Sequence, residues 1–87
     1  MKTILKFTLK MDASYQDIEM PKNAKIIHTA EQFGLPCIWA EVNTQNELEF
    51  RKFRFDPTGF ETNEIYGVHV GSFLLEDGRF VLHLYEI

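Results

Sequence analysis

Three of the nine basic residues of this acidic chain fall within four positions, in the run Arg51-Lys52-Phe53-Arg54-Phe55. Guanidinium groups pair bidentately with phosphate oxygens, and aromatic faces stack on bases for about 1–3 kcal/mol per base in single-stranded ligands. The run therefore carries the chemistry of a nucleotide site. Its competing reading is an exposed strand face with Phe53 and Phe55 in the core. Just downstream, Thr58 and Gly59 add a hydroxyl and an unencumbered backbone N–H, the small donors that anion sites use. Trp39, Phe60 and Tyr66 are the candidate stacking rings, although a tryptophan two residues from Cys37 also suits a core.

No group of residues has the spacing of a catalytic or metal centre. Cys37 sits beside Ile38 and Trp39 and reads as a buried thiol rather than a nucleophile. His28, His69 and His83 fall on three different predicted strands, with no Cys-x-x-Cys or His-x-x-x-His among them. Glu47 and Glu49 share a strand face next to Arg51 and Lys52, which suits solvated ion pairs better than acid-base work. The five glycines are scattered, so no phosphate loop is present. The expectation is a protein without catalytic residues, metal or cofactor, and hence not an enzyme.

At 87 residues the chain is one domain, spanning 1–87. An apolar fraction of 45% is enough for a core. Nine Lys and Arg against 13 Asp and Glu give 9 − 13 = −4, which excludes a general electrostatic grip on duplex nucleic acid. A single cysteine forms no intramolecular disulfide, the start lacks a signal-peptide pattern, and no apolar run reaches the roughly 18 to 20 residues of a membrane span. These features predict a soluble cytoplasmic protein with no membrane partner.

The elements that must position the basic run are strands. Leu5, Phe7 and Leu9 alternate with Lys6, Thr8 and Lys10, a period of two. Short strands follow over 16–20, 25–32 and 37–42, separated by the turns Pro21–Ala24 and Phe33–Pro36, and Asn43–Asn46 reads as a polar hairpin loop into the next strand. The 25–32 strand is apolar on both faces and is expected to be central. Over 47–55, Leu48 and Phe50 keep one phase and Phe53 and Phe55 the other, so a bulge near Arg51 and Lys52 is expected to turn both pairs inward. Asp56–Gly59 is a turn, strands follow over 65–75 and 80–85, and Glu76–Arg79 joins them as a hairpin. The fold expected is all-β, a small antiparallel meander of six to seven strands closed as a barrel or folded as a sandwich. Strands greasy on both faces in so small a domain further predict a homo-oligomer.

The ordered motifs resemble a family of short bacteriophage and prophage proteins of mostly unsettled function. Ile18-Glu19-Met20-Pro21, Gln32-Phe33-Gly34 and Ile38-Trp39-Ala40-Glu41-Val42 carry the first half of the resemblance. Arg51-Lys52-Phe53-Arg54, Thr58-Gly59, His69-Val70-Gly71-Ser72-Phe73 and Phe80-Val81-Leu82-His83-Leu84-Tyr85-Glu86 carry the second. The chain departs from the family's pattern in having Phe60 where a histidine usually follows the Thr-Gly pair and His69 where a tyrosine-like residue stands. If the family's histidine touches a ligand, the first departure implies that the ligand here either differs or is gripped by stacking.

In size and character the chain is also similar, more loosely, to oligomeric β-rich phage sponges that sequester cyclic oligonucleotide or cyclic ADP-ribose-type signals. That analogy implies an anti-defence protein that binds its ligand without turnover, in a pocket at a subunit boundary. Arg51, Lys52 and Arg54 would neutralise phosphate there, Thr58 and Gly59 would donate hydrogen bonds, and Trp39, Phe60 or Tyr66 would stack. A protein–protein adaptor, acting as a host-protein inhibitor or a minor phage structural subunit, is the alternative.

Overall fold

A computed structural model describes residues 1–61 and 67–87. Tyr66 lies outside the described residues. Seven strands run through them: β1 (Lys2–Thr8), β2 (Tyr15–Pro21), β3 (Lys25–Gln32), β4 (Leu35–Asn43), β5 (Leu48–Pro57), β6 (Val68–Leu75) and β7 (Phe80–Glu86). They form two antiparallel sheets, one in the order β1-β4-β3 and the other in the order β2-β5-β7-β6. The all-β expectation holds, as a sandwich and not a closed barrel. The meander does not hold, because only β3–β4 and β6–β7 are sequence neighbours paired as hairpins. The chain instead changes sheet after β1, β2 and β4, so the Asn43–Asn46 loop expected to be a hairpin joins strands of different sheets.

The core lies between the sheets. Ile38, Ala40 and Val42 of β4 form one buried cluster with Phe53, Phe55, Phe73, Leu75, Leu82 and Leu84, and Leu9 and Met20 are fully buried in it. The Phe55 and Phe73 rings meet edge to face at 5.8 Å, an arrangement that suits their quadrupoles. Between β1 and β2 the chain spans both sheets, Leu9 N–H donating to the Pro36 carbonyl and Phe55 N–H to the Ser14 carbonyl. On the other side the edges β3 and β6 pack together, and Thr29 Oγ1 donates to the Ser72 carbonyl at 3.3 Å.

Two strand expectations are corrected. The register of β5 against β2 runs unbroken from Tyr15↔Arg54 to Pro21↔Leu48, so β5 has no bulge at Arg51 and Lys52. Strict alternation then leaves Leu48 and Phe50 exposed while Phe53 and Phe55 enter the core. The bulges lie elsewhere, between Ile26 and His28 in β3 and between His69 and Gly71 in β6. The strand expected at the centre, β3, is an edge. Its second apolar row reflects the bulge, which leaves Ile27 exposed, and the central strand of that sheet is β4.

Candidate functional site: the outer face of the four-stranded sheet

Alternation along β5 decides which basic residues share a face. Lys52, Arg54 and Asp56 project from the outer face of the four-stranded sheet, whereas Arg51 lies on the core side with Phe53 and Phe55. The three basic groups therefore do not converge on one hollow. The expected phosphate cluster is split between the two faces of one strand.

Arg51 is consumed by the fold. Its Nε and Nη2 donate to the two carboxylate oxygens of Glu86 at 2.6 and 2.7 Å, and its Nη1 donates to the Ala24 carbonyl at 2.6 Å. Hydrogen bonding to Glu86 holds the guanidinium above its ordinary pKa. Burial opposes that shift, and the charges of Glu86 and Glu49 add to it.

Arg54 is also engaged. It is only 3% exposed, its guanidinium lies 4.6 Å over the Tyr85 ring, and its Nε donates to Asp56 at 3.0 Å. The chain returns over this group at Gly67, where a Cβ would lie 3.7 Å from Arg54 Nη1 and 2.9 Å from the Glu86 carbonyl oxygen. That approach, at a φ of 117°, explains the glycine.

Lys52 is exposed and makes no ion pair among the described residues. It borders a hollow of about 290 Å³ with Tyr15, Gln16 and Asp17. Farther along the face Thr58 leaves β5, its N–H bonded to the Val81 carbonyl, and its Oγ1 lies 2.6 Å from His83 Nε2. The other ring nitrogen, Nδ1, is 2.9 Å from Ser72 Oγ. Neutral imidazole donates through one nitrogen and accepts through the other, and a hydroxyl serves either role, so the chain Thr58–His83–Ser72 is satisfied in both tautomers. His69 stands beside it, its ring 6.3 Å from His83 and 5.2 Å from Tyr85. Gly59 follows in the left-handed region with open space where a side chain would stand, and Phe60 is exposed.

Trp39 belongs elsewhere. It lies on the outer face of the three-stranded sheet, across from Lys6 and His28, with its ring 5.3 Å from that of His28. Cys37, on the same row, is buried and 3.7 Å from Thr8 Oγ1. The outer face of the four-stranded sheet thus unites Lys52 and Arg54 and carries Thr58 at its end, with Gly59 and Phe60 in the turn that follows, and it lacks Arg51 and Trp39.

Sequence reasoning had not grouped His83, His69, Ser72, Tyr85 and Tyr15 with these residues. One signal was available, since His83 and Tyr85 alternate with the apolar Leu82 and Leu84 and so must face outward together. For His69 and Ser72 the bulge between His69 and Gly71 disguises the phase. Among the described residues, no group of three or more His, Cys, Asp or Glu side chains is fit to hold a metal, and no helix is long and apolar enough to cross a membrane.

No curated protein matches the chain, and no solved structure matches it. A family profile does, described only as a domain of unknown function, and it covers residues 1–87 from end to end. The chain belongs to the DUF7352 family.

Proposed function

We propose that the outer face of the four-stranded sheet binds a small phosphorylated nucleotide, of the cyclic dinucleotide or cyclic ADP-ribose type, and holds it without turnover. The observation that carries the reading is the pairing of Lys52 with Tyr15 in one hollow, a cation without an ion pair among the described residues beside an aromatic ring. Phosphate would meet Lys52 and a base would stack on Tyr15. The hydroxyl of Thr58 extends the same face, and Gly59 and the exposed Phe60 follow it in the turn after β5. A hollow of about 290 Å³ falls just short of the roughly 300–1,000 Å³ typical of ligand sites. A second copy laid over the face would complete it, which is how homo-oligomerisation enters this proposal.

Thermal denaturation against a panel of cyclic dinucleotides and cyclic ADP-ribose isomers tests the reading. A stabilised midpoint with at least one of them, lost in Lys52→Ala, is the expected result. A folded sample that none of them stabilises would sink it.

Phe33 favours the adaptor as a second reading. This ring is 91% exposed at the tip of the β3–β4 hairpin, on a backbone with φ of 54° that bulky residues rarely adopt. An adaptor would retain a protein partner and lose it in Phe33→Asn, whereas a nucleotide binder would release its ligand on heating and be indifferent to that change.

A further inference from the structure

A second depression lies at the far end of the three-stranded sheet, where β1 and β3 begin and β4 ends, and it holds about 480 Å³. Three strands place its floor. Ile4 of β1 and Lys25 of β3 flank Glu41 of β4 in one cross-strand row, and Lys2 lies opposite Asn43 in the next. Neither lysine makes an ion pair among the described residues, although Lys22 nearby is paired with Glu47 at 3.4 Å. With Glu41 the basin carries 2 − 1 = +1 in a chain of net charge −4.

Its rim is built rather than loose. Thr44 N–H and Oγ1 both donate to the Met1 carbonyl, and Lys22 N–H donates to the Glu47 carbonyl, so the turns before β3 and before β5 are laced to each other and to the start of β1. The same lacing fixes two amides in opposite senses. Asn43 Oδ1 accepts from Gln45 N–H at 3.1 Å, which leaves its NH₂ to donate. Asn46 Nδ2 donates to the Lys22 carbonyl at 2.9 Å, which leaves its oxygen to accept.

The geometry points to a binding site for a small anionic polyol, a sugar phosphate or a sugar acid. The two lysines meet the anion. The Asn43 amide hydrogens, the Asn46 carbonyl and the Glu41 carboxylate alternate donors with acceptors, as hydroxyl groups require, and Ile4 offers an apolar wall to a ring face. A basin for a bare anion would have no use for two acceptors among its lining groups.

The site is independent of Lys52 and the opposite sheet, so its test separates from that of the nucleotide reading. Titration of ¹⁵N-labelled protein with glucose 6-phosphate, glucuronate, glucose and inorganic phosphate reads it directly. The expected result is saturable shifts of the Lys2, Lys25 and Asn43 backbone amides and the Asn43 side-chain NH₂ with glucose 6-phosphate or glucuronate. The arm that responds identifies phosphate or carboxylate as the anion. Affinity falls roughly tenfold or more in the Lys2→Gln, Lys25→Gln double variant, whose exposed sites leave the fold intact, and is unchanged in Lys52→Ala. No response to either acid sugar, shifts confined to the Lys52 face, or an equal response to inorganic phosphate alone would each overturn the assignment.

Discussion

Arg51 and Glu86 grip each other through two parallel hydrogen bonds of 2.6 and 2.7 Å, with their side chains only 17% and 27% exposed. Because Arg51 Nη1 also reaches the Ala24 carbonyl, one guanidinium ties β5 to the end of β7 and to the turn before β3. The geometry is bidentate, and an ammonium group has no fork with which to reproduce it. Removing one partner of a fully buried pair costs about 3–5 kcal/mol, and partial solvent screening lowers that to about 2–4 kcal/mol here. Arg51→Ala is expected to lose this much in urea unfolding, and Arg51→Lys to recover less than half of it.

The same pair has a defined response to alkali. A cation whose folded pKa is raised contributes stability that is full below its unfolded pKa and is lost only as pH rises through the folded one. For arginine that window lies far above neutrality, and hydrogen bonding to Glu86 moves it higher. The stability difference between wild type and Arg51→Ala is therefore expected to stay constant between about pH 7 and pH 10. Chemical denaturation across that range checks it, and a difference that fades toward pH 10 would contradict the assignment.

Gly71 closes the sandwich by having no side chain. A Cβ at that position would collide with the side chain of Thr29 on β3, where the edges of the two sheets meet. Overpacking of this kind costs about 1–3 kcal/mol. Gly71→Ala is expected to destabilise by that amount, and Thr29→Ala in the same chain to recover part of the loss. A double-mutant cycle measures the coupling, and strict additivity of the two changes would show that the collision is relieved some other way.

Much of the architecture follows from period-two alternation, and the departures mark where pairing partners decide. The strands, the β6–β7 hairpin and the core rings Phe53 and Phe55 were readable because each satisfies a local pattern, whereas the polar loop at Asn43–Asn46 has the local look of a hairpin and joins two sheets. The position of Phe50 was not, because its neighbours suggested a bulge that the continuous register with β2 removes. The split of Arg51 from Lys52 and Arg54 follows from the same register. Trp39 illustrates a different limit. Alternation placed it on a face of its strand, but which sheet holds that strand is fixed by long-range pairing with β1 and β3. Sheet order is carried by connections of differing length and not by any single segment, so the site's membership was only half legible.

Phe33 occupies the first left-handed position of a two-residue hairpin turn, followed by Gly34 at φ of 81°. Turns with positive φ at both central residues favour Asn-Gly, because a Cβ-branched or aromatic side chain crowds the backbone there. The exposed ring recovers nothing by packing. Phe33→Asn is expected to stabilise the protein by about 0.5–1 kcal/mol, which raises the thermal midpoint by roughly 2–8 °C in a domain of this size. A lower midpoint would mean that the ring makes a contact worth more than the strain.

The two outer faces give the nucleotide proposal its sharpest internal control. Lys52 and Trp39 sit on opposite sides of a sandwich whose sheets pack about 10 Å apart, so a ligand held by one face of a single copy does not touch the other. Trp39 is the only tryptophan in the chain, which makes its emission an unmixed report on its own face. Titration with a nucleotide that raises the thermal midpoint is expected to leave that emission unchanged. Trp39→Phe should preserve the binding heat and Lys52→Ala should remove most of it. The reverse pattern, binding lost with Trp39 and kept without Lys52, would move the site to the three-stranded sheet.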